Sequence, residues 1–95
     1  MDYEWDAAKA AENRRRQGID FMDSIAAIGD PNRLEEIDSR FVLGEERIRI
    51  LGMAAGSILF VVTTLRGDRT CRIISARRAT RNEQDRYYAG DREAW

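Results

Sequence analysis

The chain has 95 residues, with 43% hydrophobic and 35% charged side chains and a formal net charge of −1. This balance is typical of one small folded domain and lacks the global basic field of many nucleic-acid binders. No apolar run approaches the roughly 20 residues of a membrane span, and the acidic, aromatic N-terminus is unlike a signal peptide. We therefore expect residues 1–95 to form a single cytoplasmic domain with no membrane partner.

Histidine is absent and cysteine occurs once. Cys71 cannot belong to a disulfide framework, and its strand-like surroundings predict a small buried side chain. Without histidine, the common zinc sites and imidazole acid–base catalysis are disfavoured. The sequence thus predicts no metal site and no cofactor.

Charge is unevenly distributed along the chain. Eight acids and two arginines lie in residues 20–46, whereas six arginines and one acid lie in residues 66–81. Arginine binds phosphate or carboxylate through a planar fork of N–H groups. Each arginine taken singly is expected to be solvated or paired with an acid. For the group, an anion-binding surface and a solvated surface stay equally open.

Two helices are predicted in the first third of the chain. Asp6 is an N-cap for a helix through Arg16, and Gly18 follows where a C′ glycine belongs. Asp20 caps the second helix. Its core-facing stripe has apolar side chains four and three residues apart: Phe21, Ile25 and Ile28.

Strand patterns dominate the middle of the chain. Residues 34–41 form a weak, acidic edge strand. Residues 46–53 form a second strand, in which Ile48 and Ile50 face one way and Arg47, Arg49 and Leu51 the other. Residues 58–65 are apolar on both faces, as in a central strand, with turns expected at 52–57 and 67–68. We predict an α+β fold with two N-terminal helices, an antiparallel sheet of three to four strands and a C-terminal helix; residues 1–5 are at most a short edge strand.

The stretch from Arg72 to Glu83 is a strand that runs straight into a helix. Thr80 and Glu83 have the spacing of a capping box, which is also the favoured role of Glu83. Backbone N–H groups and the helix dipole attract anions at such a junction. Basic and hydroxyl side chains crowd it: Arg72, Ser75, Arg77, Arg78 and Arg81.

Arg66 is harder to assign to this junction. It lies at the turn end of its hairpin, whereas Arg77 lies at the far end of the next strand, over ~20 Å away. The sequence alone does not place the two arginines in one site. Arg47 and Arg49 share the outward face of a neighbouring strand and fit either end.

A set of residues spread over nearly the whole chain resembles the BrnT family of toxins. The residues are Trp5-Asp6, Lys9-Ala10, Asn13, Gly18-Ile19-x-Phe21, Arg40-x-x-x-Gly44-Glu45-x-Arg47, Gly52, Val61-Val62-x-Thr64-x-Arg66, and Arg72-Ile73-Ile74-Ser75-Ala76-Arg77-Arg78-Ala79 with Glu83. The resemblance implies the toxin half of a type II toxin–antitoxin pair, with a RelE-like ribonuclease fold. It further implies RNA cleavage that arrests translation, neutralisation by a BrnA-like antitoxin in a hetero-oligomer, and DNA binding only through the antitoxin complex.

The expected chemistry is attack of a ribose 2′-OH on its own phosphate, which arginines can assist without histidine or metal. We expect catalytic roles for Arg66, Arg77 and Ser75. RNA or phosphate contacts are expected from four further residues: Arg78, Arg47, Arg72 and Lys9. Weak candidates for the base are Lys9, Glu45 and Tyr87, although Tyr87 is favoured as a packing residue.

One departure from the family pattern bears on activity. Members commonly read Lys-His-Gly where this chain has Arg16-Gln17-Gly18. If that histidine takes part in cleavage, this chain has either a weaker activity or a mechanism that its arginines carry out. The alternative is a degenerate toxin that acts only through its antitoxin complex in transcriptional autoregulation.

Overall fold

The computed structural model describes residues 1–38, 46–67 and 69–90. Within these residues the chain forms five strands and three helices: β1 Asp2–Glu4, α1 Ala7–Gln17, α2 Phe21–Ile28, β2 Leu34–Asp38, β3 Arg47–Ala54, β4 Ser57–Arg66, β5 Thr70–Arg78 and α3 Arg81–Ala89. The α+β class predicted from the sequence is confirmed. Some predicted features lie outside the described residues: the end of the acidic strand, Arg40, Gly44, Glu45 and Asp68.

The strands form a mixed sheet in the order β1-β5-β4-β3-β2. β1 runs parallel to β5, and the other neighbours are antiparallel. The prediction of an antiparallel sheet of three to four strands was therefore wrong in strand number and in the direction of one pair. β1 has three residues, too few to show the alternation from which a strand is recognised.

Helices α1 and α3 begin and end with the residues expected of them. Asp6 caps α1 by accepting hydrogen bonds from the N–H groups of Ala8 and Lys9, and Gly18 ends it at φ 71°. The prediction that Asp20 caps α2 was wrong: Asp20 stands at the N-cap position, but its carboxylate makes no capping hydrogen bond and accepts from Arg14 instead. The capping box of α3 is complete. Across the described residues, no helix is both long and apolar enough to cross a membrane.

The main core lies between the sheet and helices α1 and α2. It is built from buried apolar side chains of both layers: Ile19, Phe21, Ala27, Ile28, Ile50, Ala54, Leu59, Val61, Cys71, Ile73 and Ala76. Cys71 is 3% exposed, and burial raises the pKa of its thiol. The prediction that Cys71 is a buried packing residue is confirmed.

Gly52 lies near the end of β3, three residues before the hairpin turn at Ala55-Gly56. The turn predicted within residues 52–57 is confirmed, and β3 ends at Ala54, one residue later than expected. A Cβ atom at position 52 would lie 2.1 Å from the carbonyl oxygen of Ala27 in α2. The missing side chain lets α2 rest directly on the backbone of the sheet.

Asn13 joins α1 to the edge of β5. Its side-chain amide donates to the carbonyl oxygen of Ala76 at 2.9 Å and accepts from the N–H of Ala76 at 3.2 Å. The amide also donates to the carbonyl of Ile19 at 3.0 Å. β1 pairs only with Thr70 to Arg72, so Asn13 satisfies Ala76 as a neighbouring strand would.

Helix α3 covers one end of the opposite face of the sheet. Tyr87 packs there in a smaller cluster with Leu34, Leu51, Ile58 and Ala79. The Tyr87 hydroxyl donates to Asp30, which also accepts from the N–H groups of Met53 at 2.8 Å and Asn32 at 2.9 Å. Asp30 thus ties α3 to the turn after α2 and to β3.

This link predicts that stability depends on pH at alkaline values. Burial and the hydrogen bond to Asp30 raise the pKa of Tyr87 from 10.0 to about 12. A raised pKa stabilises the fold below pH 10, and that contribution disappears as the pH rises through about 12. We expect Tyr87→Phe to lower the free energy of unfolding by about 1.5–3 kcal/mol at pH 7. This gap in stability between the variant and wild type should close between pH 10 and 12. Urea unfolding of both proteins across this range measures the gap; a constant gap contradicts the prediction.

Candidate functional site

A β-bulge on β5 decides which side chains share a face. Val62 pairs with Ser75, and Thr63 pairs with Ile73, so Ile74 is the extra residue. In an unbroken strand, alternation would put Arg72 and Arg77 on opposite faces. The bulge resets the alternation. Ile73 and Ala76 therefore both face the main core, while Arg72, Ser75 and Arg77 face the other way.

Five arginines of the described strands share this outward face, which we call the arginine face: Arg47, Arg49, Arg66, Arg72 and Arg77. The register sets their order. Arg77 lies beside Phe60, Ser75 is aligned through Val62 with Arg49, and Arg72 is aligned through Thr64 with Arg47. Among the described residues, α3 covers one end of this face, and the side chains of Arg49, Arg66, Arg72 and Arg77 are 24–56% exposed to solvent.

A pocket of about 350 Å³ opens on the arginine face beside α3. Its lining mixes cationic, anionic, hydroxyl and apolar side chains: Asp38, Arg47, Arg49, Phe60, Val62, Ser75, Arg77 and Glu83. A second pocket, of about 550 Å³, is lined by Asp30, Leu34, Met53, Tyr87 and their neighbours, and no arginine or lysine is among its described lining residues. The first pocket is the better match for a phosphate.

Arg77 is fixed from several directions in this pocket. Its Nη1 donates to Glu83 Oε1 at 2.8 Å and its Nη2 to Glu83 Oε2 at 3.0 Å. Nη1 also donates to the carbonyl of Arg78 at 3.1 Å. The guanidinium carbon stands 4.1 Å from the centre of the Phe60 ring, within cation–π range. The charge of Arg77 is therefore held in one place before any ligand arrives.

Glu83 is ionised in this arrangement. Burial alone would raise its pKa, but the hydrogen bonds from Arg77 and from the N–H of Thr80 outweigh burial and hold the pKa below its ordinary value. Its side chain is 16% exposed. The capping box predicted from sequence is confirmed, and the structure adds the fork to Arg77.

Acidic partners accompany three more arginines of this face. Arg49 forms an ion pair with Glu36. Arg66 and Arg72 each approach Glu4 of β1 at 3.7 Å. These carboxylates offset the positive charge of the face, which fits the near-neutral net charge of the chain.

The structure brings together three of the seven predicted site residues. Arg47, Ser75 and Arg77 line the pocket, and Arg72 lies one row further along β5. Arg66 is on the same face, but it is six positions from Phe60 on β4, roughly 20 Å from Arg77. Arg66 and Arg77 do not share one pocket.

Two predicted residues lie away from the arginine face. Arg78 is exposed and paired with Leu59, whose side chain belongs to the main core on the opposite face. Lys9 is exposed on α1, which packs on that same opposite side. The structure does not bring either residue to Arg77.

The three candidates for the general base are Tyr87, Lys9 and Glu45. The Tyr87 hydroxyl donates a hydrogen bond to Asp30, and its pKa is raised to about 12. Tyr87 is therefore protonated at neutral pH and is a poor general base. Lys9 lies on the far side of the sheet, and Glu45 lies outside the described residues. Among the described residues, no group of three or more histidine, cysteine or acidic side chains could hold a metal ion.

Phe60 and Asp38 line the pocket but were not singled out from the sequence. Phe60 shares a face of β4 with Val62, Thr64 and Arg66, which follow it at every second position. That face could have been inferred from the two-residue period of a strand. The contact of Phe60 with Arg77 could not, because it depends on the register between β4 and β5. Asp38 lies at the end of an edge strand and has no distinctive pattern around it.

The sequence matches, over residues 5–83, the family model described as ribonuclease toxin, BrnT, of type II toxin–antitoxin system. The fold is similar to the 1.1 Å crystal structure of the Brucella abortus ribonuclease toxin BrnT, with a TM-score of 0.64 and 23% sequence identity over 85% of this chain and 99% of that chain. None of the curated proteins compared with the chain matched it.

The family match reaches from Trp5 through the pocket residues to Glu83. It confirms the resemblance seen in the motif residues, and the structural likeness shows that the fold is shared. The chain therefore belongs to the BrnT family of ribonuclease toxins from type II toxin–antitoxin systems.

Proposed function

We propose that this chain cleaves RNA, arrests translation by doing so, and is neutralised by a BrnA-like antitoxin. The pocket on the arginine face is the observation that carries the proposal. It combines a fixed guanidinium, two further arginines and a serine hydroxyl in a space of about 350 Å³. That volume accommodates a phosphodiester and part of a nucleotide.

The proposed reaction begins with attack of a ribose 2′-oxygen on the adjacent phosphorus. The bond to the 5′-oxygen breaks, the 2′-hydroxyl gives up its proton and the 5′-oxygen takes up one, which leaves a 2′,3′-cyclic phosphate and a 5′-hydroxyl. Negative charge grows on the phosphoryl oxygens during attack, and guanidinium groups already in place stabilise it without reorganising. Arg77 is the principal group in this proposal, with Arg47 and Ser75 binding the same phosphate. This charge stabilisation does not require a metal ion.

Arg66, Arg72, Arg78 and Lys9 are assigned to RNA binding outside the pocket. Arg72 and Arg66 continue the arginine face beyond Ser75, where successive backbone phosphates of a single strand would reach them. Arg66 therefore moves from a catalytic role to a binding role. Arg78 and Lys9 can contact only RNA that passes around the edge of the sheet.

Incubation of purified protein with a 5′-labelled single-stranded RNA tests the proposal. We expect shortened products that end in a 2′,3′-cyclic phosphate. The same reaction in excess EDTA tests the metal-independent chemistry. RNA that stays intact in both reactions, while the protein is folded by circular dichroism, refutes the cleavage claim.

A second candidate function is a binding module that acts only through its antitoxin complex. Gln17 favours it, since related toxins commonly carry histidine there. Against it, Gln17 is exposed at the end of α1 and is not among the residues lining the pocket. Induction of the chain alone separates the two functions: growth arrest that the neighbouring gene's product relieves supports the toxin, and normal growth supports the binding module.

Antitoxin and RNA are expected to compete for the arginine face. An acidic segment of the partner suits the same guanidinium groups as a phosphate. We expect the apparent Kd of the toxin for labelled RNA to rise in proportion to added antitoxin, as measured by fluorescence anisotropy. An RNA affinity that does not change at saturating antitoxin contradicts a shared surface. The experiment uses a DNA-free antitoxin, because DNA is proposed to bind only through the hetero-oligomeric complex.

A further inference from the structure

We infer that Glu83 is a positioning residue for the phosphate site: it takes one fork of Arg77 and thereby presents the other fork to RNA. The inference rests on the proposed function for its consequence in catalysis. Its structural part, the control of Arg77 by Glu83, can be measured without RNA.

Counting the N–H groups of Arg77 identifies the fork that remains. A guanidinium has five N–H donors. Nη1 uses both of its donors, on Glu83 and on the carbonyl of Arg78, and Nη2 uses one on Glu83. None of these contacts between described residues uses the Nε–H or the second Nη2–H. These two donors lie on one edge of the guanidinium and form a parallel pair, the geometry that binds two phosphate oxygens at once.

Glu83 is itself fixed by the first turn of α3. Its Oε1 accepts from the N–H of Thr80 at 2.8 Å, and its own N–H donates to the Thr80 hydroxyl at 3.2 Å. The position of the Arg77 fork is therefore set by the start of a helix instead of by a free side chain. The Phe60 ring at 4.1 Å holds the plane of the guanidinium from another side.

The neutral variant Glu83→Gln separates positioning from capping, because glutamine also completes a capping box. It cannot supply two charged acceptors to Arg77. We expect kcat for RNA cleavage to fall about 10-fold to 100-fold, as for a displaced catalytic group, with a much smaller change in KM. Asp85→Asn is the matched control: it neutralises an exposed carboxylate on the same helix, which pairs with Arg81 at 3.5 Å, and leaves the Arg77 fork intact, so kcat should stay at the wild-type value.

Side-chain NMR of ¹⁵N-arginine protein gives a measurement that is independent of cleavage. The Arg77 Nε–H resonance is assigned by its absence from Arg77→Lys. We expect slow rotation about its Nε–Cζ bond in wild type and in Asp85→Asn, and fast rotation in Glu83→Gln. Equal rotation rates in wild type and Glu83→Gln overturn the inference. So does a Glu83→Gln enzyme with wild-type kcat, or an equal loss of kcat in Asp85→Asn.

The cleavage assay and the NMR measurement test the proposed function and the positioning role of Glu83 separately. If wild-type protein leaves RNA intact, the proposed function fails, and the rotation rates still decide whether Glu83 positions Arg77. If wild type cleaves RNA and the rotation rates do not differ, the positioning role fails alone.

Discussion

Replacing Arg77 by alanine is expected to lower the rate of RNA cleavage by roughly 10²–10³. Arg77 is a restrained cation of the pocket, bound by Glu83 and stacked on Phe60. A charge held in place before the reaction stabilises the transition state more than a mobile one. The measurement is the single-turnover rate with saturating toxin, which isolates the chemical step from product release.

Two further variants make this result specific. Arg77→Lys keeps the charge beside Glu83 but loses the planar fork, so its rate should lie between those of wild type and alanine. Arg15→Ala removes an equal charge from α1, on the opposite side of the sheet, where Arg15 pairs with Glu12. Its rate should match wild type. A similar loss in Arg15→Ala and Arg77→Ala would assign the effect to net charge and contradict a site at Arg77.

Gly52→Ala is expected to destabilise the fold by about 3 kcal/mol or more, the upper end for overpacked sites. The added Cβ would stand 2.1 Å from a backbone oxygen of α2. Neither β3 nor α2 can give way as a flexible side chain would, so the helix must move off the sheet and open the main core. The free energy of unfolding in urea measures the loss.

Gly29→Ala is the matched control for this substitution. A Cβ at position 29 would be 3.6 Å from the carbonyl oxygen of Ile25, an ordinary contact, and Gly29 has a φ of −89°. That variant should lie within about 1 kcal/mol of wild type. If Gly52→Ala is as stable as Gly29→Ala, the close contact between α2 and β3 is not a stabilising feature of the native protein.

The sequence predicts best where local chemistry decides the structure. Asp6, Gly18 and the Thr80–Glu83 pair act on backbone groups within a few residues of themselves, and the structure confirms all three roles. The alternation of residues 46–53 likewise places Ile50 in the core and Arg49 outside it. Such features need no knowledge of distant neighbours.

The rest depends on contacts between distant parts of the chain. β1 exists because β5 passes beside it, and the bulge after Ile73 exists only relative to β4. The role of Gly52 likewise depends on a distant contact, because its missing side chain makes room for Ala27 of α2. The pocket on the arginine face follows from the bulge, so its residues could be suspected from sequence but not grouped.

The two hydrogen bonds between the Asn13 side chain and the backbone of Ala76 affect how the toxin behaves at high concentration. An exposed strand edge is a template on which a second chain can add its own strand. Beside β5 that template is interrupted, because β1 occupies one stretch and the Asn13 amide occupies Ala76. β1 itself has three residues, which is a short edge for a second chain to extend. This side of the sheet therefore discourages ribbon-like self-assembly of the toxin.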